Sequence, residues 1–293
     1  MHIIISVLEI VAPVFILSTI GFFWVRRGHE FPIDFVTNLI MSIGLPCLVF
    51  TALMKTNIDP NALASTFFAS IAVYALITIV FFTLVKVCSL ELKTFLAPLI
   101  FANTGNLGLP LALFAFGKIG LDYAIVIFAV MMVYSFSAGI WMVSGGGNPF
   151  RILKDPIFWG IILGAVFMTQ GWTTPTWLTN TVELIGQFVI PLMLITLGVT
   201  LARLESPSFG RSVWLSFIKL VVCIGMSYAV GIWFELDKVA MAVLILQVST
   251  PVAVTSFLLA QKYGADANEV AGLVVVSTAM SVLALPILLG FLL

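Results

Sequence analysis

The stretch Asn103-Thr104-Gly105-Asn106-Leu107-Gly108-Leu109-Pro110 lies at the middle of an apolar run over 94–117. Two carboxamides, two glycines and a proline do not suit mid-depth of an ordinary apolar helix. Pro110 has no N–H to donate and is expected to push Leu109 away from helical angles. Gly105 and Gly108 weaken a helix further. A second stretch of the same kind, Gln247-Val248-Ser249-Thr250-Pro251, is central to the run over 239–261. Both predict an interrupted helix. Unwound backbone at membrane depth is tolerated only where it is buried in protein or lines a cavity.

The surrounding chain supports a membrane setting. Its 293 residues are 61% hydrophobic and 9% charged, with zero formal net charge and a mean hydropathy of +1.20. Soluble domains carry about 45–50% apolar and about 25% charged residues, so a soluble enzyme, a disordered chain and a nucleic-acid binder with a basic stripe are excluded. Apolar runs between charges and turn residues predict ten spans, at roughly 3–25, 34–54, 63–86, 94–117, 121–143, 156–171, 181–202, 211–234, 239–261 and 269–292. The first is read as a span and not a cleaved leader, because no basic segment precedes it. Cys47, Cys88 and Cys223 stand singly in apolar runs and read as small hydrophobes. All seven tryptophans fall near span ends, as expected of an interfacial belt. Loops after odd-numbered spans hold nine Lys or Arg and loops after even-numbered spans three. The positive-inside rule then places both termini on the extracytoplasmic side of a plasma (inner) membrane.

The two halves of the sequence echo each other. Pro13-Val-Phe15 with Gly21 matches Pro156-Ile-Phe158 with Gly164 at a shift of 143 residues. Asn38-Leu-Ile with Leu45-Pro46 matches Glu183-Leu-Ile with Ile190-Pro191 at 145, and Lys118-Ile-Gly120-Leu-Asp122 matches Lys262-Tyr-Gly264-Ala-Asp266 at 144. Five spans per half is an odd number, so the second half must enter from the opposite face. The expected fold is an all-α polytopic membrane protein of ten transmembrane helices in two inverted five-helix repeats. Residues 1–143 form the first repeat, 144–155 a short cytoplasmic linker and 156–293 the second. Transporters of this kind bind substrate at the midplane, between interrupted helices.

If a second half-helix starts at each proline, two positive helix ends of about +0.5 charge meet at the midplane. Free N–H groups there bind an anion without any arginine. Asn103, Asn106 and Gln247, with the hydroxyls of Thr104, Ser249 and Thr250, add hydrogen bonds. Gly105, Pro110 and Pro251 shape the backbone of this candidate substrate site. The alternative is a pair of proline kinks whose polar residues bond neighbouring helices.

Asn103-Thr-Gly-Asn106-Leu-Gly-Leu-Pro110, the Asn38…Leu45-Pro46 span and the Ser277-Thr278…Leu285-Pro286 ending resemble the auxin efflux carrier family of transporters over nearly the whole chain. The resemblance implies crossing helices 4 and 9. It also implies a scaffold and homodimer surface from spans 1, 2, 6 and 7, and a moving transport domain from spans 3–5 and 8–10. Bacterial relatives are associated with malonate, malate and similar carboxylates, and plant relatives with auxin. The long central hydrophilic loop of the plant carriers is missing, which points to a compact bacterial-style permease.

Lys219 is well inside span 8 and joins the candidate site, either as counter-charge to a carboxylate or as occupant of a cation site. The alternative is that it snorkels to the cytoplasm. Glu9 and Glu183 read as interfacial, and no acid lies within the embedded parts of spans 3–5 and 8–10, which argues against a carboxylate proton relay. No cofactor is expected. The coupling ion is Na+ or H+, or movement is uncoupled. Gly160-Ile-Ile-Leu-Gly164 permits close helix packing, or a dimer contact. The absence of HExxH, GxSxG and GxxxxGK[ST] motifs argues against an intramembrane enzyme or an ATP-driven pump. The expected function is secondary active transport of small organic anions by elevator-type alternating access. The alternatives are a sodium-coupled carrier of another organic solute, a channel or a membrane sensor.

Overall fold

The computed structural model describes residues 2–144, 153–204 and 209–293; most of the expected linker lies outside them. The described residues are almost entirely helical. They form α1 (His2–Arg26), α2 (Ile33–Met54), α3 (Pro60–Val87), α4 (Leu92–Ile100), α5 (Thr104–Val143), α6 (Pro156–Gln170), α7 (Thr176–Arg203), α8 (Phe209–Trp233), α9 (Lys238–Val248), α10 (Val254–Tyr263) and α11 (Ala267–Leu292). Seven helices, α1, α2, α3, α5, α7, α8 and α11, are long and apolar enough to cross a bilayer, and α6 and α9 are shorter apolar helices. All seven tryptophans are exposed on the outer surface.

Local chemistry sets the helix ends. Asp59, Asp155, Asp237 and Asp266 each accept a first-turn N–H as N-caps. Gly171 and Gly264 end α6 and α10 at positive φ, where only a residue without a Cβ sits unstrained. Three prolines follow an irregular turn two to six residues before them. A π-turn at Ile40–Gly44 precedes Pro46, another at Thr104–Gly108 precedes Pro110, and α7 kinks at Phe188 before Pro191. A proline ring would meet the carbonyl four residues back, and at Pro46 and Pro110 the wider turn moves that carbonyl aside.

This corrects the role expected of Pro110. Leu109 keeps helical angles (φ −58°, ψ −49°), and the second half-helix begins at Thr104, not at the proline. The Lys-x-Gly-x-Asp match is also not conformational. Gly264 is left-handed, but Gly120 lies inside α5, and the chain turns instead at Gly117 (φ 64°, ψ −153°).

Small residues bring two helix pairs into backbone contact. A Cβ on Gly21 would overlap the Ile195 carbonyl oxygen, and one on Gly198 would overlap that of Ser18, so α1 and α7 touch along their backbones. Ser18 Oγ donates to the Leu194 carbonyl across the same seam. Gly160 and Gly164 of α6 lie against Pro46, Phe50 and Leu53 of α2. The glycine pair is therefore covered from within the chain, which removes the dimer contact considered for it. The core surrounds the two interrupted segments, with Leu99, Ile100, Leu109, Phe128, Leu244 and Leu246 all buried.

Candidate functional site

Helix α4 stops at Ile100 and the chain runs extended through Phe101 and Ala102 before α5 starts. Opposite it, α9 stops at Val248, and residues 249–253 are non-helical before α10. The two gaps pair as a short antiparallel bridge between Ala102 and Val252. Asn103 N–H donates to the Pro251 carbonyl at 2.8 Å, and Ala253 N–H donates to the Phe101 carbonyl at 3.1 Å. Val252 N–H donates to Ser277 Oγ at 3.0 Å. Backbone groups that would be costly to leave unpaired in an apolar interior are thus satisfied by the opposite gap and by α11.

The bridge sends two helices outward from one point. The first-turn N–H groups of a helix have no intrahelical partner, and first-turn residues of both α5 and α10 line a single cavity of about 200 Å³. Its polar wall is Asn103, Gly105, Asn106, Ser135 and Thr255; its apolar wall is mainly methionine, phenylalanine and leucine. Among the described residues no lysine or arginine lines it. Asn103 is 4% exposed and its Nδ2 has no partner among the described residues. An adjoining cavity of about 160 Å³ shares Met41, Asn106, Thr255 and Leu258 and runs past Thr37, Thr196 and Thr200 to Arg203.

The predicted site residues separate into groups. Asn103, Gly105 and Asn106 face the shared cavity. Thr104 is buried with no partner for its hydroxyl among the described residues, and Pro110 is buried nearly two turns along α5. Gln247 is fully buried against Gly108, at a spot where a Cβ on that glycine would overlap its Oε1. Ser249, Thr250, Pro251 and Lys219 line a different space, with Ser216, Ser277 and Ser281, of only about 20 Å³. That holds about one water and no carboxylate. Lys219 is 2% exposed, and its Nζ points to the Thr250 carbonyl at 3.4 Å and Cys223 Sγ at 3.9 Å. It does not snorkel: its amine is buried beside the Thr250 carbonyl, two residues past the end of α9.

Sequence reasoning did not single out Thr37, Ser135, Thr196, Thr200 or Thr255, which fall within the predicted apolar spans. A signal was available, because Thr196, Thr200 and Arg203 recur at i, i+4 and i+7 and so form one polar stripe on a helix.

A family model described as "Membrane transport protein" matches residues 6–155 and 145–289. An uncharacterized transporter of Methanothermobacter thermautotrophicus is 28% identical over 192 residues, which is 63% of this chain and 63% of the relative's own length. An uncharacterized transporter of Methanocaldococcus jannaschii is 24% identical over 304 residues, 94% of this chain and 96% of the relative.

Proposed function

The chain belongs to the membrane transport protein family, the auxin efflux carrier-like transporters, and from that premise we propose that it is a secondary transporter of organic anions bearing a carboxylate, working by alternating access. The observation that supports this best is the meeting of two half-helix N-termini on one cavity walled by Asn103 and Asn106. Positive helix ends and unpaired N–H groups hold a carboxylate there without a basic side chain. The methionine, phenylalanine and leucine lining suits an apolar body on a single carboxylate. Malonate or malate is the second reading, favoured by Arg203 at the far end of the adjoining cavity.

The same reading counts ten crossings. They are α1, α2, α3, α4 with the start of α5, the rest of α5 beyond Gly117, α6, α7, α8, α9 with α10, and α11. The seams α1–α7 and α2–α6 form a scaffold built from spans 1, 2, 6 and 7, and the remaining spans form a moving transport domain. The two seams support an inverted repeat, because Gly21 and Gly164, 143 residues apart, each open one of them. A homodimer through the scaffold, both termini outside a plasma membrane, and Na+ or H+ as coupling ion complete the proposal.

The test is the thermal stability of the purified protein against malonate, malate and phenylacetate, with and without sodium, followed by flux in proteoliposomes. A ligand at 100 times its Kd stabilises by about 2.7 kcal/mol. The proposal expects a shift with at least one carboxylate that vanishes in Asn106→Ala while that variant still melts cooperatively. No shift and no flux with any of them overturns it, and large single-channel currents would assign a channel.

A further inference from the structure

The structure holds two cavities related to each other by the same sequence shift that relates Pro46 to Pro191. The first is the cavity that runs from Asn106 to Arg203. The second, of about 500 Å³, is lined by Thr51, Lys55, Leu113, Phe114, Lys118 and Asp122 among others. Thr51 and Thr196 are 145 residues apart, as are Lys55 and Thr200 and also Met41 and Gly186; all six line one cavity or the other. Leu113 and Phe257, and Phe114 and Leu258, are 144 apart and do the same. Helix ends from α2, α7 and the two interrupted segments therefore build both spaces, with the roles of α2 and α7 exchanged.

Each space has cations at its rim. In the first, Arg203 ends α7 and donates to the Phe31 carbonyl at 2.8 Å. It stands seven residues, about 10 Å of helix, from Thr196. The Thr196 hydroxyl is 6% exposed and has no partner among the described residues. In the second, Lys55 pairs with Glu183, and Lys118 Nζ donates to the Lys55 carbonyl at 3.1 Å beside the buried Asp122. The first space reaches Asn106 and the helix N-termini, and the second shares no lining residue with the crossing cavity.

Resting on the transport reading above, we infer that these are two vestibules on opposite faces. Arg203 draws the carboxylate in from one face and Lys118, beside Lys55, from the other. Thr196 relays it from Arg203 to Asn106. A charge about 10 Å from the path acts within roughly one Debye length at physiological salt. The effect of each cation is therefore face-specific and weakens with ionic strength.

The experiment measures KM for labelled malonate and phenylacetate in proteoliposomes of uniform orientation, separately for influx and efflux. Arg203→Gln raises KM about tenfold on its own face and leaves the opposite face unchanged, and Lys118→Gln does the reverse. Arg203→Lys keeps KM within about threefold, and 0.5 M KCl, at which screening is nearly complete, brings wild type and Arg203→Gln together. Melting of each variant separates loss of fold from loss of charge. A correctly melting Arg203→Gln whose KM changes on both faces equally, or on neither, overturns the inference while leaving the transport reading intact. A wild-type protein that carries neither probe overturns the transport reading first, and this inference with it.

Discussion

At Asn103 the side chain is buried, its Nδ2 has no partner among the described residues, and the residue lines the crossing cavity. A buried polar group left unpaired costs about 1–3 kcal/mol, so this position is better suited to binding than to stability. Asn103→Leu is expected to leave the melting temperature of the ligand-free protein equal or higher and to abolish the carboxylate-induced shift; thermal melts with and without ligand check both. Gly108 is the counter-example, a residue whose role is spatial. It admits Gln247, and Gly108→Ala should destabilise by about 1–3 kcal/mol through overpacking. The double variant with Gln247→Ala should recover most of that loss, because the clash partner is gone. Lys219 faces backbone. Its amine faces the Thr250 carbonyl in a space too small for a carboxylate. Lys219→Met should therefore lower maximal transport rate and melting temperature while leaving KM unchanged, and a KM rise alone would return it to the substrate site.

Among the elements, α5 shows how a proline and a break come apart. The expected interruption at Pro110 lies upstream at residues 101–103, and a π-turn absorbs the proline. The break is held by its antiparallel pairing with residues 251–253, not by the missing N–H of Pro110. Pro110→Ala should accordingly keep transport within about threefold, since an alanine there only restores a helical donor. Pro251 differs. It lies inside the second gap and its carbonyl accepts the Asn103 N–H. Pro251→Ala allows α9 to extend through Ser249 and Thr250, and flux assays should show a much larger loss than for Pro110→Ala. The same logic explains α6. It is short because Gly171 closes it in a left-handed cap, with Trp172 N–H donating to the Phe167 carbonyl.

Over the whole molecule, two backbone-to-backbone seams fix the helices around the crossing. Gly21→Leu would drive a side chain into the Ile195 carbonyl, and Gly198→Leu into that of Ser18. Both should fail to give a folded, monodisperse protein, whereas Gly210→Ala, where a Cβ meets open space, should express normally. Size-exclusion profiles in detergent distinguish these outcomes.

Much of this was legible in the chain itself. Apolar runs, the charges and turn residues between them, and terminal tryptophans mark where helices begin and end, because those choices depend on nearby residues. The two interruptions were legible for the same reason, as clusters of carboxamide, glycine, hydroxyl and proline in otherwise apolar stretches. Gly21 and Gly164 were visible as a matched pair in the sequence, but their purpose was not, since a glycine shows what it admits only when the opposing backbone is in place. Tertiary structure alone decided which polar residues share a cavity. It joined Asn106 to Thr196, Thr200 and Thr255 and put Ser249, Thr250 and Lys219 in a separate space. Within one helix the polar stripe is periodic, but which face of α10 or α5 it meets depends on the antiparallel pairing of Ala102 with Val252, 150 residues away in sequence. That pairing is a long-range hydrogen-bond choice, and nothing in the local residue pattern encodes it.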